Sequence, residues 1–164
     1  MKKLLNNKKG FTLIELLAVI VILAILVMVA IPAVTKYLNA ARQGTFADNA
    51  KAAIDTVRND VIMYGFGYAG SGASTDGNVM TYDKGAINGL LEKDLTTSPF
   101  GGPYTQASIT VTQEKVDTTC TDDCEYKFTY RMCLIDNTGH GFGYSEENSI
   151  TDKKVELSGQ TACS

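Results

Sequence analysis

The chain is poor in the residues that do chemistry. Its 164 residues hold one histidine and no tryptophan. His140 stands in the glycine-rich run Asn137–Tyr144, with no serine or cysteine nucleophile at a motif spacing. A lone loop histidine makes no catalytic constellation, so the chain reads as something other than an enzyme. Ladders of acidic ligands are missing as well. Asp122-Asp123 and Glu146-Glu147 are pairs without an Asp-x-Asp-x-Asp-Gly run, and they read as solvated loop charges. No metal or cofactor is expected. Basic clusters are absent beyond the first ten residues. Of 15 lysines and arginines, Lys2, Lys3, Lys8 and Lys9 fall in that stretch, and the remaining eleven face 18 acidic residues, a balance of −7. Such a surface is wrong for coating nucleic acid, and no specific nucleic-acid partner is expected.

Charge is lacking altogether from Leu16 to Thr35, twenty residues, the length that a bilayer-spanning helix requires. Lysines ahead of the run and no comparable cluster after it put the N-terminus in the cytoplasm and the rest outside. At the lip of the apolar run stands Glu15. A carboxylate in such a helix costs about 2.5–3.5 kcal/mol at mid-bilayer on insertion scales, which an ordinary anchor has no reason to bear. Meeting an ammonium in a helix bundle relieves the penalty of both groups and fixes the stagger between helices. A cleavable secretory signal does not fit either, because its apolar core runs only about 7–15 residues.

The string Lys8-Lys9-Gly10-Phe11-Thr12-Leu13-Ile14-Glu15, followed by an aliphatic helix, resembles the prepilin leader and N-terminal segment of type IV pilins and pseudopilins, over residues 8–38. The resemblance implies cleavage between Gly10 and Phe11 by a prepilin peptidase, which then N-methylates the Phe11 amine. It implies that Glu15 faces the Phe11 amine of a neighbouring subunit during assembly. Pro32 matches a family proline associated with helix melting in the fibre; in its own right it removes a backbone donor and predicts a kink. The partners implied are copies of this chain in a helical homopolymer, the peptidase, an assembly ATPase, a platform membrane protein, and the lipid bilayer before assembly. The expected route runs from the cytoplasmic membrane to a pilus at the cell surface.

Beyond the membrane stretch, Ala47, Ala50, Ile54, Val57, Val61 and Tyr64 recur at steps of three and four and predict one apolar helix face. Asp48, Lys51, Asp55 and Arg58 on the other side are spaced for ion pairs. Gly65, Gly67 and Gly70 stop the helix near Tyr64, after a rod of about 80 Å from Phe11. Gly65 to Gly70 fits G-x-G-x-x-G, but it follows a helix where the dinucleotide fingerprint needs a preceding strand, so it reads as loop, continuing to Asp76-Gly77. Ala86–Lys93 is expected as a short helix sealing the core with Ile87, Leu90 and Leu91. Ser98-Pro99-Phe100-Gly101-Gly102-Pro103-Tyr104 makes a rigid turn and looks like the Asp-Pro-Trp-Gly-x-Pro-Tyr segment of major pseudopilins. Serine here replaces the aspartate, which puts a pseudopilin-type calcium site in doubt. Strands are expected around Ile109–Gln113, over Cys124–Leu134, and over Lys154–Ser158 with Val155 and Leu157 inward; Asn137–Tyr144 is expected as a long loop in which Phe142 and Tyr144 cap the core or meet a partner.

Four cysteines, Cys120, Cys124, Cys133 and Cys163, lie on the exported side and read as two disulfides with three possible pairings. The preferred pairing is Cys120–Cys124, closing a tight turn, with Cys133–Cys163 tying the tail to a strand. A zinc site from these cysteines and His140 lacks paired Cys-x-x-Cys spacing. The expected fold is α+β: a leader at 1–10, a membrane and filament-core helix at 11–35, an amphipathic helix at 36–64, and a head at 65–164 with a small antiparallel sheet. The expected function is that of a structural subunit polymerising into a type IV pilus-like surface filament. A pseudopilin of a secretion or competence machine and a membrane-anchored extracellular binding module are the alternatives.

Overall fold

The computed structural model describes residues 10–68, 70, 72–91 and 95–163. The chain divides into two compact units, Met1–Asn39 and Ala40–Ser164. One helix, α1, Leu13–Tyr64, runs through both.

In the second unit, α1 packs on an antiparallel sheet in the plain order β1-β2-β3-β4-β5. The strands are β1 (Ser74–Asp76), β2 (Val79–Asp83), β3 (Tyr104–Lys115), β4 (Tyr126–Asp136) and β5 (Gly141–Glu146). The fold is therefore α+β, as expected. Phe46, Ala47, Ala50, Ala53, Ile54, Val57 and Val61 bury the sheet-facing side of α1. Opposite them, Ile109 and Val111 of β3 and Tyr130, Met132 and Leu134 of β4 alternate inward with the strand period of two. Tyr104 would fall on the wrong face by that count. A register shift between Tyr104 and Gln106 returns it to the core, where its ring meets Phe46 edge-on at 5.2 Å.

Several expectations are corrected. Tyr64 leaves the α1 stripe, is 56 % exposed, and stacks on Tyr68 at 4.9 Å; beyond Gly65, Phe66 packs against that end of the core instead. The stretch read as loop up to Asp76-Gly77 contains β1 and leads into β2. Gly77, at φ 56°, opens a two-residue hairpin turn, and Met80 and Tyr82 then face inward. The second half of the expected Asn137–Tyr144 loop belongs to β5, Gly141–Glu146; its glycines mask the strand pattern, yet Phe142 is buried against Phe46. Lys154–Ser158, expected as a strand, is a 3-10 turn (Asp152–Lys154) and a single bridge from Glu156 to Gly141. Val155 is buried as expected, but Leu157 is 43 % exposed, because one bridge does not impose strand alternation on its neighbours.

The short helix, α2, is Lys84–Leu90, two residues earlier than read, because the Asp83 side chain accepts the Ala86 amide and caps it. Residues 92–94, the expected end of that helix, lie outside the described residues. On the polar side of α1, Arg58 reaches Asp55 and also Glu147, and its guanidinium lies 4.9 Å from the Tyr130 ring centroid. The cysteines pair as Cys120–Cys124 and Cys133–Cys163.

Candidate functional site: the N-terminal segment

Gly10, Phe11 and Thr12 have no regular secondary structure, and the chain turns helical at Leu13. Thr12 is the reason that it turns there. Its amide and its hydroxyl both donate to Glu15 Oε2, at 2.8 and 2.7 Å, and its Oγ1 accepts the Glu15 amide at 3.3 Å. This is a reciprocal capping box, which satisfies helix-end donors that otherwise lack partners. The carboxylate also lies at the positive end of the helix dipole. Sequence reading singled out Glu15 and missed Thr12, although Thr-x-x-Glu before an apolar run is a legible capping signal.

Past Glu15 the helix exposes every large apolar residue from Leu16 to Leu38, and Phe11 itself is 92 % exposed. The most apolar part of this helix is long enough to cross a membrane and has nothing buried among the described residues. A surface of this extent belongs in lipid or against other helices. Helical assignment continues through Pro32. Proline has no amide hydrogen, so the Met28 carbonyl loses its helical donor. Nearby, Thr35 Oγ1 donates to the Ile31 carbonyl at 3.0 Å.

In the second unit, Asp136 gathers the polar residues that looked most like chemistry. Its buried carboxylate accepts Ser98 Oγ at 2.7 Å, Thr138 Oγ1 at 2.7 Å, the Thr138 amide at 2.9 Å, the His140 amide at 3.0 Å and His140 Nδ1 at 3.0 Å. The His140 ring stacks on Phe100 at 4.0 Å. Burial pushes this carboxyl up, but the hydrogen bonds from Ser98, Thr138 and His140 outweigh it and bring the pKa down to about 2. Serine, histidine and aspartate meet here in an order unsuited to nucleophilic catalysis. Ser98 bonds the carboxylate rather than the imidazole, and its oxygen also accepts the Phe100 amide at 3.1 Å. The cluster knots the Ser98–Tyr104 turn to the end of β4. Neither acidic pair joins a ligand set: Glu147 is taken by Arg58, Asp122 and Asp123 are exposed, and no group of three metal-binding side chains occurs among the described residues.

Residues 5–31 match the model of the prokaryotic N-terminal methylation motif. The segment is thus similar to the N-terminal segments of type IV pilins. The chain is also similar to a fimbrial protein of Moraxella nonliquefaciens, 44 % identical over 59 residues that cover 34 % of this chain and 38 % of the relative. The match thus spans well under half the length of that curated relative. No solved structure matches the chain. The chain combines a methylation-motif segment with a long helix and an α+β fold.

Proposed function

We propose that the chain is a prepilin whose mature form polymerises through its N-terminal helix into a type IV pilus-like filament at the cell surface. The observation that carries this reading is an acidic side chain built into the cap of a helix whose next twenty residues carry no charge and lie exposed among the described residues. The fimbrial name of the Moraxella relative supports it. Cleavage between Gly10 and Phe11 removes the basic leader of residues 1–10, and the freed Phe11 amine is N-methylated. That amine then lies four residues before Glu15, on chain that the helix has not yet taken up.

In lipid, each unpaired charge is costly, and pairing Glu15 of one copy with the Phe11 amine of another relieves both at one fixed stagger. Thr12 keeps the carboxylate partnered until that amine arrives and aims it along the helix entrance. Pro32, having broken one helical bond, marks where α1 can loosen as copies pack. An assembly ATPase and a platform protein supply the work of drawing the helix out of the membrane.

The test is electron microscopy of sheared surface material probed for this chain, with mass spectrometry of its N-terminus. Filaments whose subunits begin at methylated Phe11, lost in Glu15→Ala, are the expected result. A chain that keeps Met1–Gly10 and remains a monomer in the membrane overturns the reading and leaves the anchored binding module.

A further inference from the structure

The two disulfides differ in one partner: Cys133 is fully buried, whereas Cys120, Cys124 and Cys163 are all half-buried. Cys133 is fully buried on β4, and its bridge fastens Cys163, whose amide donates to Gln106 Oε1 at 2.9 Å. Cys120 and Cys124 lie in the loop that joins β3 to β4. Apart from these two half-buried cysteines, every residue from Val116 to Glu125 is exposed.

The hairpin closes without that bridge. The Val116 amide donates to the Glu125 carbonyl at 2.9 Å, and below it β3 and β4 pair without a break from Lys115↔Tyr126 to Ala107↔Leu134. Cys120 is held independently as well, its amide donating to the Asp117 carbonyl at 3.3 Å and its carbonyl accepting Lys115 Nζ at 3.1 Å. What the bridge constrains is Thr121 to Cys124. Asp123 there takes φ 50°, a conformation unfavourable to residues with a Cβ. Cys120 Sγ lies 3.1 Å from the Asp122 carbonyl oxygen. A disulfide sulfur has no hydrogen, so the oxidised form sets two electron-rich atoms together, whereas a thiol at Cys120 would find its acceptor already in place. The exposed loop around the bridge, backbone strain in the closed form and a waiting partner for the open form all act in one direction. Exposed and strained bridges are the ones that exchange, and buried structural ones resist.

We propose that Cys120–Cys124 is an exchangeable clasp on the hairpin tip, opened by an external dithiol while Cys133–Cys163 stays closed. A thiolate of the dithiol attacks one of the two sulfurs and the S–S bond breaks. The other cysteine leaves as thiolate and takes a proton from water. The second thiol of the reagent then attacks the mixed disulfide and releases the first cysteine, so the reagent becomes a disulfide and the loop gains two electrons and two protons. Thr121–Cys124 relaxes, and the ladder below is untouched. The inference does not rest on the polymer reading, since it concerns the loop alone.

The full-length protein in detergent is exposed to graded dithiothreitol, alkylated, and mapped by peptide mass, with hydrogen exchange followed in parallel. Labelling of Cys120 and Cys124 about tenfold or more faster than Cys133 and Cys163 is expected. Faster exchange confined to the loop should accompany it. Opening of both bridges together, opening of Cys133–Cys163 first, or loop exchange indifferent to reduction overturns the proposal. In Asp123→Gly, where positive φ is unstrained, the dithiol needed for half-opening should rise roughly twofold or more; an unchanged or lower midpoint counts against the strained clasp.

Discussion

Replacing Asp136 should cost the head much of its stability, and should do so in a pH-dependent way. The carboxylate accepts five hydrogen bonds while fully covered by protein. In Asp136→Ala the buried Ser98 hydroxyl and the two turn amides lose their acceptor, whereas the exposed Thr138 hydroxyl finds water. At about 1–3 kcal/mol for each buried donor left without a partner, partly relieved by relaxation, the loss should come to about 3–4 kcal/mol. The pH dependence follows from the depressed pKa. A carboxyl at 3.8 when unfolded and about 2 when folded contributes stability that is fully present above pH 5. That contribution, about 2 kcal/mol, fades as the pH falls through the folded value. Asp136→Asn cannot ionise, so it should start less stable at pH 7 and lack this component of acid destabilisation. Urea unfolding of the full chain in detergent, followed by tyrosine fluorescence at pH 7, 4 and 2.5, measures both effects. An Asp136→Asn protein that matches the parent within about 0.5 kcal/mol at pH 7 and tracks it down to pH 2.5 would refute the argument.

Three further outcomes are expected. Thr12→Val removes the hydroxyl of the capping box at a cost of about 1 kcal/mol and should lower filament yield, while Thr12→Ser should restore it; yield from sheared cells is the measure. Removing Cys133–Cys163 by paired serine substitution should cost about 3–4 kcal/mol, against about 2 for Cys120–Cys124, as read from urea midpoints, because the first bridge closes a loop of 30 residues and the second a loop of four. Gly141→Ala should leave the head open to protease: a Cβ there would sit 2.1 Å from the Leu134 carbonyl oxygen at φ 148°, so β5 cannot pair with β4 as it does now.

The N-terminal reading needed no tertiary information. Twenty uncharged residues behind Lys8-Lys9-Gly10-Phe11, with Glu15 at the edge, are a signal that local composition alone carries. The α1 stripe and the inward faces of β3 and β4 were legible for a related reason, since regular periodicity survives wherever one face is buried. Tertiary structure decided the rest. Gly141–Glu146 became a strand because the β4 edge was there to receive it, against its glycine content. Lys154–Ser158 did not, because only Glu156 found a partner. Ser98, Asp136 and His140 are separated by up to 42 positions in the chain, and no spacing rule joins them until β3 and β4 pair. Local signals fix what a segment prefers. Which buried polar groups must satisfy one another is settled only when the sheet closes over them.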